Sequence, residues 1–115
     1  MQPEAIFRTA LIRHLRKHGC KVTRVEPSFK GKFGLADLWV RCVRTKWVGW
    51  VECKATAGRL SGDQEEFRFD CLTGGVKYIV AKWVEDIDVI IPKSYSSKYS
   101  HIEDFYRKHP EMRRK

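Results

Sequence analysis

Four residues combine side-chain type and spacing suited to chemistry: Asp37, Glu52, Lys54 and Gln64. Glu52 and Lys54 stand two apart in the run W-V-E-C-K-A at 50–55. On an extended strand such residues project from one face, which Trp50 shares, while Val51 and Cys53 take the other. An acid and a lysine so placed also describe a solvent-facing pair on an exposed sheet. Asp37 adds a second carboxylate, just after Gly34 in the preceding β-rich stretch. A hairpin loop of two residues sets Asp37 against Glu52 or Lys54. A three-residue loop sets it against Cys53, on the wrong face, unless a bulge restores the phase.

Two converging carboxylates repel, and one resists ionising unless a cation lies between them. A hard divalent ion, Mg²⁺ or Mn²⁺, meets this need through oxygen ligands. Such an ion activates bound water and neutralises charge on a phosphate, the two requirements of phosphodiester hydrolysis. A neighbouring ammonium such as Lys54 orients the water or stabilises the developing negative charge.

These residues need elements to hold them. Residues 3–18 read as a helix, with Pro3 in the first turn and Phe7, Leu11, His14, Leu15 and His18 on one face. Arg13, Arg16 and Lys17 gather on another face, and Gly19 stops the helix. Lys21–Val25 is a short strand candidate, followed by a polar, glycine-containing loop, Pro27–Gly34. Leu35–Val43 and Trp47–Lys54 read as an antiparallel hairpin about Arg44-Thr45-Lys46. Ser61-Gly62-Asp63-Gln64 is a capping box opening a helix that runs to Leu72 and ends at Gly74-Gly75. Val76–Val80 is another strand, and Val84–Ile91 a further short element read as strand. Pro92 and residues 93–100 form a loop, with a last helix at His101–Lys108. The order is α-β-β-β-α-β, with no internal repeat, and divides into a core at 1–91 and a basic C-terminal extension at 92–115.

The chain of 115 residues suits one domain, and its 43% hydrophobic and 12% aromatic content excludes a disordered basic tail. No apolar run approaches the ~20 residues of a transmembrane helix. Glu4 and Arg8 break any apolar leader, so no secretory signal is read and a cytoplasmic compartment is expected. Cys20, Cys42, Cys53 and Cys71 lie far apart, without zinc-ligand spacing, and read as free, mostly buried thiols. The formal charge is +9. Residues 1–33 hold eight Lys/Arg and two acids, residues 92–115 seven and three, and residues 34–91 eight and nine. Basic flanks around a slightly acidic centre suit a polyanion, or else describe a solvated surface.

Gly34-Leu35-Ala36-Asp37, Trp50–Ala55, Gly58-Arg59-Leu60-Ser61-Gly62-Asp63-Gln64 and Gly75–Val80 together resemble the VRR-NUC family, a branch of the PD-(D/E)XK nucleases. The likeness covers roughly residues 4–88, with Ala36 standing where the family usually has proline. It implies an α/β restriction-endonuclease-like core, αβββαβ, with a mixed sheet flanked by helices. The resemblance further implies a Mg²⁺- or Mn²⁺-dependent DNA endonuclease selective for junctions or branched DNA, acting in phage or bacterial replication and repair. Asp37, Glu52 and the Cys53 backbone carbonyl would hold the metal, Lys54 would be the catalytic lysine, and Gln64 would line the site. Glu4 is the candidate for a further acid on the first helix, although a first-turn Glu also complements the helix dipole. Gln64 equally serves as the capping-box glutamine, and the two roles compete for one side chain. Ser61 reads as a cap rather than a nucleophile.

Stand-alone members of the family resemble Holliday-junction resolvases and tend to be homodimers, with DNA as partner and no membrane or small-molecule cofactor. Arg13, Arg16, Lys17, Lys30, Lys32 and Arg59 are the candidate DNA-binding cations, joined by the C-terminal Arg107, Lys108, Arg113, Arg114 and Lys115. Trp39, Trp47, Trp50 and Trp83 read as core or interface rather than base-stacking platforms, with Trp47 and the hairpin tip open to a second subunit. Two other classes stay open: a non-catalytic DNA-binding protein on a nuclease fold, and a phage protein that grips a host factor.

Overall fold

A computed structural model describes residues 3–28, 33–54, 58–91 and 105–112. The chain is α/β, with a four-stranded mixed sheet in the order β1-β2-β3-β4. Helix α1 spans Pro3–Lys17, β1 Lys21–Arg24, β2 Leu38–Cys42, β3 Trp47–Cys53, α2 Gly62–Thr73 and β4 Lys77–Ala81. Strands β1, β2 and β3 run antiparallel, whereas β4 lies parallel to β3. That parallel pairing requires a crossover, which the 53-to-77 connection supplies with α2 inside it.

Alternation along the strands sorts the side chains into two clusters. Leu38, Val40 and Cys42 of β2 and Trp47, Val51 and Cys53 of β3 join Phe7, Leu11 and Leu15 of α1 in the main core. On the opposite face, Trp50, Tyr78 and Val80 pack with Ala36 and with Phe67 and Cys71 of α2. The helices therefore cover opposite faces, and α1 is amphipathic because only one of its sides meets the sheet. Gly19, at φ 85°, ends α1 in the left-handed region where glycine is favoured.

Three expectations change. The hairpin loop has four residues, Val43–Lys46, closed by the Lys46 N–H donating to the Val43 carbonyl at 3.3 Å. Four-residue loops are commonly built around such a turn. An even count keeps the phase, so β2 pairs with β3 through Leu38–Val51 and Trp39–Trp50. Val84–Ile87 is a 3₁₀-helix rather than strand. Asp86 drives this: its Oδ2 accepts from the N–H of Lys82 at 2.8 Å and of Trp83 at 3.0 Å, curling the chain off β4. Pro27, Ser28 and Phe33 are helical where a loop was expected.

Trp47, read as core or interface and left open to a second subunit, is buried in this chain's own core. Residues 105–108 form a helical turn, and residues 101–104 of the expected last helix lie outside the described residues. Tyr106 enters the main core, its hydroxyl accepting from the Val84 N–H at 3.2 Å. All four cysteines are free and buried. Among the described residues no helix is long and apolar enough to cross a membrane.

Candidate active site

Extending the hairpin register one step beyond Leu38–Val51 sets Asp37 directly opposite Glu52. Strand alternation alone would leave Glu52 on a half-covered face, beside Trp50. It is instead fully buried, because Gln64 at the start of α2 lies over it. Asp37 is 4% exposed and Gln64 8%.

Each carboxylate has one oxygen on the backbone and one on a cation. Asp37 Oδ2 accepts from the Cys53 N–H at 2.8 Å, and Asp37 Oδ1 stands 3.7 Å from the Arg8 guanidinium. Glu52 Oε1 accepts from the Asp37 N–H at 3.0 Å. Glu52 Oε2 takes the Gln64 side-chain amide at 2.9 Å and the Lys54 ammonium at 3.3 Å. Burying two carboxylates is tolerable only with this degree of pairing.

Gln64 caps α2 and bonds Glu52 at once. Its Oε1 accepts from the Ser61 N–H at 2.9 Å, and its backbone N–H donates to Ser61 Oγ at 3.2 Å, completing the capping box. Its Nε2 remains to donate to Glu52. The expected competition for one side chain therefore does not arise, since an amide has a separate acceptor and donor end. Ser61 is the N-cap of α2.

The approach of α2 to the site depends on Gly34. Its φ is 66°, and a Cβ built there would lie 2.5 Å from the Asp63 carbonyl oxygen, so only glycine fits. Three residues before Asp37, it lets the chain pass against the first turn of α2.

Asp37, Glu52, Lys54 and Gln64 are thus brought together, with the Cys53 peptide between them. Glu4 lies half-buried in the first turn of α1, one turn before Arg8 and on the same side of the helix. Arg13, Arg16 and Lys17 are exposed on α1, across the sheet from α2, and the Arg16 guanidinium donates to the Val22 carbonyl at 3.2 Å. None of the three is drawn to the carboxylates. Arg59 is exposed shortly before α2, while Lys30, Lys32 and Arg113–Lys115 lie outside the described residues.

Two site residues escaped the sequence reading. Arg8 sits beside Leu11 and Leu15 on α1, and its reach to Asp37 follows from helix–sheet packing that no local spacing reveals. Tyr78 is buried on β4, and among the described residues its hydroxyl has no hydrogen-bond partner. Burial first, then the charges of Glu52, Cys71 and Asp37, push its phenol well above the ordinary range. Its nearness to both carboxylates follows from the parallel β3–β4 register, which is a tertiary feature.

Two carboxylates, rather than three acidic or imidazole groups, converge among the described residues. Their donor chemistry fits a hard divalent cation, since Asp37 Oδ1 and Glu52 Oε2 already face positive charge. The Cys53 carbonyl leaves the strand on the same edge as the N–H that holds Asp37. No family model, curated protein or solved structure matches the chain.

Proposed function

We propose that the chain is a Mg²⁺- or Mn²⁺-dependent DNA endonuclease of the PD-(D/E)XK type, related to the VRR-NUC nucleases. The observation that carries the reading is the convergence of Asp37, Glu52 and Lys54 on a buried hairpin end, locked by Gln64 from α2. Selectivity for branched DNA and assembly as a homodimer belong to the same proposal.

In this reading Asp37, Glu52 and the Cys53 carbonyl hold the metal. When bound, the ion lowers the pKa of a water and neutralises phosphate charge. The rest of the chemistry falls to the chain. The Cys53 N–H and the Asp37 N–H fix one oxygen of each carboxylate, leaving Asp37 Oδ1 and Glu52 Oε2 to face cations. Gln64 holds Glu52 in a single rotamer. Lys54, anchored at Glu52 Oε2, presents its ammonium to the attacking water or to the charge developing on the phosphate.

Purified protein with Mn²⁺ is expected to cut DNA, and Glu52→Gln or Lys54→Ala to abolish cutting while leaving DNA binding. Cleavage that survives both substitutions overturns the site. A panel of branched, flapped, single-stranded and duplex DNA resolves the preferred substrate, and analytical ultracentrifugation the dimer. One observation favours a non-catalytic DNA-binding protein instead: Arg8 and Lys54 already balance both carboxylates without a metal. Strong metal-free binding with no cutting of any DNA form decides for that reading.

A further inference from the structure

Among the described residues, no apolar cluster joins a helix to the β1–β2 half of the site-bearing sheet face. Phe67 and Cys71 of α2 cover the β3–β4 half. On β1 and β2 the same face carries Lys21, Thr23, Trp39 and Arg41, with Val48 of β3 alongside. The register fixes this grouping, pairing Lys21 with Arg41, Thr23 with Trp39, and Arg41 with Val48. Lys21, Thr23 and Arg41 are exposed, Val48 is 44% exposed and Trp39 is half-buried. Their neighbours Val22, Leu38 and Val40 turn to the main core. Along β2 this strip runs straight into Asp37, about 13 Å from Arg41 at strand rise. The acids on this face of β1, β2 and β3 are Asp37 and Glu52, both at the site end.

We propose that this strip holds a single-stranded segment of nucleic acid leading to the carboxylates, with Trp39 stacking a base and Lys21 and Arg41 meeting phosphates. The proposal rests on the nuclease reading of Asp37 and Glu52 and adds the form of the substrate beside the scissile bond. A pair of cations beside an aromatic, with no acid between them, matches the chemistry of single-strand binding. In a duplex the bases stack on one another and present no open face to Trp39, whereas a single strand does. Trp50 braces the Trp39 ring edge-on, with centroids 4.8 Å apart at 64°. The platform is therefore rigid before a base arrives, which lowers the entropic cost of stacking.

The test measures fluorescence anisotropy of a labelled oligothymidine and of a duplex of equal length, in EDTA so that nothing is cut. The proteins are the wild type, Trp39→Ala, Trp39→Phe and the double variant Lys21→Glu/Arg41→Glu, each checked for folding by circular dichroism. Trp39→Ala is expected to weaken single-strand binding by about 5- to 150-fold, with Trp39→Phe recovering most of it and duplex binding nearly unchanged. The double variant changes only exposed positions, and is expected to weaken single-strand binding and flatten its salt dependence. Equal losses on both DNAs, or no loss on the single strand, overturn the proposal. So does a dimer, seen by ultracentrifugation, that Trp39→Ala dissociates, because the strip would then belong to a second copy of the chain. Cutting is assayed separately with Mn²⁺. Trp39-dependent binding without any cutting upholds the strip and removes the nuclease reading, while cutting with unaltered Trp39→Ala binding does the reverse.

Discussion

Replacing Gln64 by Glu separates the two duties of one side chain. The carboxylate keeps an acceptor for the Ser61 N–H, so the capping box survives. What disappears is the donor to Glu52 Oε2, and a second negative charge takes its place against a fully buried carboxylate. A hydrogen bond to a charged group contributes about 1.5–3 kcal/mol. Lys54 remains on the same oxygen and offsets part of the loss. The expected cost at neutral pH is about 2–3 kcal/mol, against about 1 kcal/mol for Ser61→Ala, which removes only the cap. At roughly 4 °C per kcal/mol for a domain of this size, Tm falls by about 8–12 °C and 4 °C respectively.

The pH dependence gives an independent check on this substitution. The introduced carboxyl, buried beside Glu52, has a folded pKa raised above the unfolded value of about 4.3. The folded state then binds more protons, so the stability deficit is absent below about pH 4.3 and grows as pH rises through the folded pKa. The assays are urea and thermal denaturation of wild type, Ser61→Ala and Gln64→Glu between pH 4 and 8, with Mn²⁺-dependent cleavage measured alongside. Gln64→Glu is expected to lose cleavage and Ser61→Ala to keep it. Equal Tm losses for the two variants, a pH-independent deficit, or wild-type cleavage by Gln64→Glu would refute the assignment of Nε2 to the site.

Arg8→Ala removes the cation nearest Asp37 Oδ1, so a divalent ion meets less competition there. The Mn²⁺ concentration for half-maximal cleavage is expected to fall by up to about fivefold, since a pair at 3.7 Å with partial exposure contributes under about 1 kcal/mol. An unchanged metal titration would show that Arg8 and the metal do not share that oxygen. Tyr78→Phe deletes a buried hydroxyl that lacks a partner among the described residues, and is expected to be neutral or to stabilise by about 1 kcal/mol in urea melts. Because the phenol is raised in the fold, wild-type stability should fall as pH rises above about 10, and Tyr78→Phe should blunt that fall. Gly34→Ala is expected to lower Tm markedly, through about 1–2 kcal/mol of left-handed backbone strain plus the Asp63 clash. A melting curve superimposable on wild type would disprove that constraint.

Local patterns carried much of the fold into view. The apolar face of α1, the capping box at Ser61 and the β-branched runs of β2 and β3 each lie within one element, where period and turn chemistry act directly. The alternation that set Trp50, Glu52 and Lys54 on one face likewise needs only a strand. What depended on distant packing was hidden. Asp86 bends the chain after β4 through its own backbone contacts, so an apolar run at 84–91 reads falsely as strand. The hairpin loop carries no Asn-Gly or Asp-Gly, so no local turn chemistry sets its length; the four-residue Val43–Lys46 turn decides the face of Asp37. Arg8 and Tyr78 reach the site only because α1 and β4 dock on β3 and its neighbours.

The Cys53 position explains why the motif constrains only every second residue. Its side chain is fully buried in the main core, on the face opposite Glu52 and Lys54. Its peptide, however, lies on the edge facing Asp37, and the N–H at 2.8 Å fixes that carboxylate. Packing thus governs the side chain of the middle residue, while the site uses only its backbone. Any residue of suitable volume that preserves the strand would serve, so Cys53→Ala or Cys53→Val should change stability through core packing while leaving the two carboxylates in register. Glu52 and Lys54 have no such latitude. One must accept from the Asp37 N–H and the Gln64 amide together, and the other must reach Glu52 Oε2 from the same strand face.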